Sequence, residues 1–311
     1  MKRYLITLIS TVCLGLTASA QTPFVFSLEE CGADEVVVNY WNNATAPHSN
    51  GITEPESVSE GVKRELFNTS QTDFYVFKAD PKIATGQGVV LVPGGGYRKL
   101  SIKFDGFKVA EYLRSIGVTT IVVKYRLPNG NREVPLEDAQ AGLRYMRTVG
   151  QAWGVDPAQV GILGCSAGGH LAAHTSTFTP DAEKPAFTIL VYPVISGMTR
   201  SPHHGTFGNL LGKARTNAEQ EYYSLENRVT ETTPPTLFLL ADDDLRVSTV
   251  NSMLYYKRLR HFGIPAAIYT FPSGGHGWAG HDDYKYAEQC KSAIKDWLQI
   301  QQERYINKVR R

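Results

Sequence analysis

A serine between glycines, a histidine in a glycine-flanked loop and a run of aspartates are the residues of this chain whose types could share one reaction. The serine is Ser166, within Gly164-Cys165-Ser166-Ala167-Gly168. The apolar run Val160 to Leu163 precedes it as a strand, and an alanine-rich helical stretch follows. That context makes the segment a sharp strand-to-helix bend that holds the hydroxyl outward, with the positive end of the helix facing the reacting oxygen. A serine hydroxyl is a weak nucleophile until a base takes its proton. His276, in Ser273-Gly274-Gly275-His276-Gly277-Trp278, follows the last apolar strand directly and is the candidate base; His281 is the nearby competitor. His170 lies four residues past Ser166 on the same helix and cannot turn back to it. His170 and His174 share the spacing of a metal pair but lack the glutamate of a metallopeptidase helix. His48, His203, His204 and His261 fall in loops or at helix ends.

A carboxylate must hold the imidazole in one tautomer. Thr236 to Leu240 reads as a strand ending in Ala241-Asp242-Asp243-Asp244, and the residues alone leave the choice among the three aspartates open. Charge developing on a carbonyl oxygen needs donors. The N–H of Ala167 is one, and Gly94-Gly95-Gly96, after the strand Gly88 to Val92, offers unobstructed amides. That glycine run has neither the lysine and Ser/Thr of a phosphate-binding loop nor the spacing of a dinucleotide fingerprint.

The elements that would position these groups alternate. Strands are expected at Phe74 to Phe77, Gly88 to Val92, Thr119 to Lys124, Val160 to Leu163, Phe187 to Tyr192, Thr236 to Leu240 and Ala266 to Phe271. Helices are expected near Gly106 to Ser115, Leu136 to Gly150, after Ser166, Ser252 to Phe262 and Tyr284 to Gln302. Strands alternating with helices predict a mostly parallel central sheet with helices on both faces, and strands that are apolar without alternation fit burial on both sides.

Residues 1–20 read as a secretory leader: Lys2 and Arg3, an apolar run from Leu5 to Leu16, and Ala18-Ser19-Ala20 before Gln21. Export, periplasmic or extracellular, follows as an expectation. No later stretch reaches the roughly 20 apolar residues of a membrane helix. The remainder, 21–311, is expected to be one domain, with 21–72 a polar, turn-rich extension packed on it. The chain has 32 basic and 30 acidic residues; without Lys2 and Arg3 it balances, which gives no support for a nucleic-acid partner. Past the leader stand Cys31, Cys165 and Cys290, which allow at most one bridge, Cys31 with Cys290. No Cys/His cluster suggests a metal, and no cofactor is expected.

Several segments occur in register: Val92-Pro93-Gly94-Gly95-Gly96-Tyr97, Lys124-Tyr125-Arg126-Leu127-Pro128, Pro135-Leu136-Glu137-Asp138-Ala139, Gly164 to Ala172, Asn209-Leu210-Leu211-Gly212 and Gly274-Gly275-His276-Gly277. Together they resemble the acetylxylan-esterase-like branch of the α/β-hydrolases, related to the hormone-sensitive-lipase-type esterases, over about Gly88 to Trp297. The resemblance implies Ser166 as nucleophile, His276 as base, Asp244 as acid, and Gly95, Gly96 and Ala167 as oxyanion holders. Pro93 stands where lipase-type relatives carry histidine, and Asp105-Gly106 replaces the expected Glu-Gly. The implied activity is removal of O-acetyl groups from xylan or xylo-oligosaccharides, an acetylated plant glycan being the partner. Tyr97, Trp278 and the segment Pro202 to Gly212 are expected at the sugar's rim. A serine esterase of other acyl preference (feruloyl esterase, lipase or peptidase) is the alternative. A noncatalytic glycan-binding relative is disfavoured, because neither the serine, the histidine nor the glycines are lost.

Overall fold

The computed structural model describes residues 23–310, so the leader read from residues 1–20 lies outside it. The strands are β1 (Glu35–Asn42), β2 (Ser57–Val58), β3 (Leu66–Phe67), β4 (Gln71–Phe77), β5 (Gly88–Val92), β6 (Lys99–Leu100), β7 (Thr119–Lys124), β8 (Val160–Cys165), β9 (Thr188–Val191), β10 (Thr236–Ala241) and β11 (Ala266–Phe271). The helices are α1 (Leu28–Cys31), α2 (Val109–Ser115), α3 (Glu133–Thr148), α4 (Ala167–Phe178), α5 (His204–Leu211), α6 (Asn217–Tyr222), α7 (Val250–His261) and α8 (Ala287–Val309).

Eight strands form one sheet in the order β1-β4-β7-β5-β8-β9-β10-β11, and β2, β3 and β6 make a small separate ladder. From β7 to β11 every neighbouring pair is parallel; β4 runs antiparallel to β1 and β7. The inner strands β5, β7, β8, β9 and β10 are buried at every residue, as parallel strands covered on both faces must be. The expected α/β architecture is therefore the observed one. Every expected strand and helix occurs, most with ends displaced by a few residues; α8 runs on past Gln302 to Val309, and 102–108 forms a π-helical turn before α2.

The N-terminal segment does more than cover the domain, because Glu35, Val36 and Val37, with Trp41 and Asn42, pair in β1 with β4 and extend the main sheet by an edge strand. A buried charge network stitches the rest of the segment down. Arg126, fully buried, donates to Asp138 Oδ1 at 2.7 Å, Glu137 Oε1 at 2.6 Å and the His48 carbonyl at 2.6 Å. Trp41 Nε1 donates to Asp138 as well, and His48 Nδ1 lies 2.9 Å from Glu137. Lys124, the polar end of β7, is likewise buried and sits 2.6 Å from both Glu56 and Asp73. Charges this deep persist only when paired and hydrogen-bonded, so composition-level reading could not place them. The cysteine bridge does not form: Cys31 and Cys290 are both free thiols, each buried separately.

Candidate active site

Strand β8 ends at Cys165, and Ser166 follows with φ 54° and ψ −118°, a left-handed conformation strained for a residue with a side chain. The bend is possible because its neighbours are bare. A Cβ on Gly164 would lie 2.1 Å from the Gly168 carbonyl oxygen, and one on Gly168 would lie 2.2 Å from that of Val92. Both collisions are with backbone and cannot be relieved by a rotamer. Gly164→Ala is therefore expected to cost about 3 kcal/mol or more in folding stability, measured by urea unfolding.

Three distant segments meet at the carboxyl ends of the strands. His276 Nε2 lies 2.8 Å from Ser166 Oγ, although 110 residues separate them, and His276 Nδ1 lies 2.7 Å from Asp244 Oδ2. The other carboxylate oxygen of Asp244 accepts the N–H groups of Arg246 and Val247, both at 2.9 Å, which fixes its orientation. With Nδ1–H donated to Asp244, Nε2 is left to accept the serine proton. Of the three adjacent aspartates only Asp244 meets the ring. Asp243 is exposed and instead accepts the N–H of Gly275 at 2.7 Å, holding the histidine loop, and that bond keeps its carboxyl below the usual range. Asp242 is exposed, with its N–H bound to the Phe271 carbonyl. His281 stacks on Phe104, with ring centroids 3.8 Å apart, and takes no part.

The glycine loop after β5 closes the other side. Gly95 adopts φ 133°, and a Cβ there would fall 2.0 Å from the Lys99 carbonyl oxygen, so only glycine fits. The Gly95 carbonyl accepts from the N–H groups of Arg98 and Lys99. Tyr125 Oη bonds the Pro93 carbonyl at 2.8 Å, and Asn209 Nδ2 bonds that of Gly96 at 2.8 Å. Among the described residues, the N–H groups of Gly95, Gly96 and Ala167 have no partner within the chain.

Two expected rim residues are corrected. Tyr97 is 1% exposed, and its hydroxyl lies 3.1 Å from His170 Nδ1, inside the core under the glycine loop. His170 also bonds the Tyr223 carbonyl, and burial pushes its pKa down to about 4, so it is a neutral core group. Trp278 is 7% exposed, stacked on Tyr284 with centroids 4.5 Å apart and edge-on to Tyr192. Its packing braces the histidine loop from behind. An aromatic beside a catalytic-looking loop has the same residue type whether it stacks on ligand or core, which is why sequence misplaced both.

Sequence reasoning missed a second buried acid. Asp105, in the π-helical turn, accepts the N–H of Gly94 at 3.1 Å and the hydroxyl of Tyr192 at 3.1 Å. Tyr192 in turn accepts the N–H of Ala279 at 3.0 Å, and its ring lies 4.6 Å from that of His276. One carboxylate thus links the glycine loop to the histidine loop; the only signal was the Asp105-Gly106 dipeptide. Burial raises the Asp105 pKa from 3.8 to about 6. The folded state therefore holds this proton over a range where the unfolded chain has lost it, and the contribution to stability falls as pH rises from 3.8 to about 6. Asp105→Asn cannot ionise, so the unfolding free energy of the wild type minus that of the variant should decline across that window. A flat difference in urea titrations at successive pH values would contradict this.

A serine hydroxyl, an oriented imidazole and a cluster of free amides at the end of a mostly parallel sheet define the class. The model of the alpha/beta hydrolase fold matches residues 89–280, and the chain belongs to that family. It is 38% identical over 222 residues to an acetylxylan esterase of Xylanibacter ruminicola, across 70% of this chain and 46% of that protein. It is 30% identical to endo-1,4-beta-xylanase B of Butyrivibrio fibrisolvens, across 61% of this chain and 32% of that one. The chain thus spans less than half the length of these two curated relatives. Among solved structures it is similar to an acetyl ester-xyloside bifunctional hydrolase from Caldicellulosiruptor lactoaceticus, with 29% identity and a TM-score of 0.68, covering 75% of this chain and 89% of that one.

Proposed function

We propose that this chain is a carboxylic-ester hydrolase that removes O-acetyl groups from xylan or xylo-oligosaccharides, with Ser166 as nucleophile, and that it acts after export. The observation that carries the reading is the unbroken hydrogen-bonded line Ser166–His276–Asp244 beside the free amides of Gly95, Gly96 and Ala167. In this reading Ser166 Oγ attacks the acetyl carbonyl while His276 Nε2 takes its proton. The oxyanion of the tetrahedral intermediate lies against the three N–H groups, each such donor being worth on the order of a hundredfold in rate. Collapse breaks the bond to the sugar oxygen, which leaves with the proton from Nε2, and the acetyl group stays on Ser166. Water, deprotonated by the same imidazole, then releases acetate and restores the serine. The likeness to an acetylxylan esterase supports the acetyl-glycan substrate.

Acetate release from acetylated xylan, compared with hydrolysis of methyl ferulate and of long-chain esters, tests the substrate. Acetylated xylan and acetylated xylose should both react well. Failure of both alongside rapid long-chain ester turnover would leave a serine esterase of other preference, and no turnover of any ester would leave a noncatalytic relative.

A further inference from the structure

One imidazole near the reaction centre is unused by that mechanism. His203 precedes α5, and its ring is held at Nδ1, which accepts the Thr206 hydroxyl at 2.8 Å and the Thr206 N–H at 3.2 Å. Because Nδ1 accepts the backbone N–H, it carries no proton, and the ring's proton must sit on Nε2. Nε2 has no partner among the described residues. The ring is placed against the oxyanion loop: a Cβ on Gly96 would lie 3.8 Å from His203 Cε1, the carbon bonded to Nε2. Asn209, six residues further along, clamps the Gly96 carbonyl, so helix and loop hold a fixed relation. Partial burial lowers the His203 pKa, in keeping with a neutral ring whose Nδ1 accepts the Thr206 N–H.

A neutral donor, oriented by its own helix cap and bordering the glycine loop, suits an uncharged oxygen acceptor better than an anion. We propose that His203 is a specificity-determining residue whose Nε2–H binds a free hydroxyl oxygen of the sugar next to the acetylated carbon. This rests on the ester-hydrolase reading above and deepens it, since it assigns recognition of the alcohol side of the ester to one atom.

Two substitutions separate the donor from the cap. His203→Asn puts an amide oxygen near the position of Nδ1, and asparagine is a favoured N-cap, so the cap is kept and Nε2–H is lost. His203→Gln reaches the Nε2 position with an amide N–H and gives up the cap. The measured quantity is the ratio of kcat/KM for a mono-acetylated xyloside with a free neighbouring hydroxyl to that for p-nitrophenyl acetate. The ratio should fall about tenfold in His203→Asn, the loss of one hydrogen bond to a hydroxyl, and be largely restored in His203→Gln. A ratio that is unchanged in both variants, or that follows the cap by falling in Gln and not in Asn, overturns the assignment. Failure of the underlying reading looks different: the wild type itself would then leave the acetylated xyloside unhydrolysed, whether or not it turns over p-nitrophenyl acetate.

Discussion

Ser166→Ala is expected to lower kcat for p-nitrophenyl acetate by on the order of 10⁴- to 10⁶-fold while leaving the fold intact. The size follows from the loss of covalent chemistry altogether. Without Oγ there is no acyl-enzyme, and the residual rate comes from binding and the free amides of Gly95, Gly96 and Ala167 acting on a substrate attacked by water. The structural cost should be small. Ser166 makes no side-chain cap for α4, and among the described residues its Oγ bonds only His276. Thermal unfolding within a few degrees of the wild type, together with absent acetyl transfer to the protein by mass spectrometry, is the expected pair of results. A variant that retains a tenth of the activity would show that another group is the nucleophile.

The second large effect discriminates among three neighbours. Asp244→Asn should cost about 10³- to 10⁴-fold in kcat, because an amide facing Nδ1 can stabilise the wrong tautomer and carries no charge to balance the imidazolium. Asp243→Asn keeps an amide oxygen for the Gly275 N–H and loses only the charge that strengthens that bond, a loss worth about 1 kcal/mol, and should stay within about tenfold of the wild type. Asp242→Asn should change little, its side chain being exposed. Steady-state rates of the three variants, measured side by side, decide the acid. An Asp243 variant slower than the Asp244 variant would mean that the loop rearranges during turnover.

The elements that form the candidate site were readable because each rests on a local rule. A strand running into Gly-x-Ser-x-Gly leaves few alternatives at Ser166. A glycine-flanked histidine after the last strand is the only one of eight with that setting. The alternation of apolar strands and amphipathic helices gave the sheet for the same reason. What sequence could not supply was anything decided by packing between distant segments. Tyr97 and Trp278 look like ligand aromatics until the core is seen to close over them. Asp105 falls just before the stretch whose spacing reads as helix, and nothing local marks its carboxyl as the tie between two loops. His203 was set aside as a loop residue, since the proximity of Gly96 arises only when β5 and the segment before α5 come together. Lys124 and Arg126 show the same limit from the other side: a charged residue in an apolar run is buried or not according to partners about 50 residues away in one case and 11 in the other.

The outer margin of the sheet at β1 bears on how copies of the protein behave when crowded. Between Val37 and Trp41 the pairing with β4 slips, so that Val38, Asn39 and Tyr40 stand opposite the single Asp73. Asn39 turns to φ 54° there, with its N–H bound back to the Asp73 carboxylate at 2.8 Å. Such an irregular border does not offer a neighbouring molecule the evenly spaced donors and acceptors on which strands from separate chains zip together. Sheet-continuing fibres or dimers are thereby discouraged on that side, and concentrated solutions gain a safeguard against aggregation from a defect in the ladder.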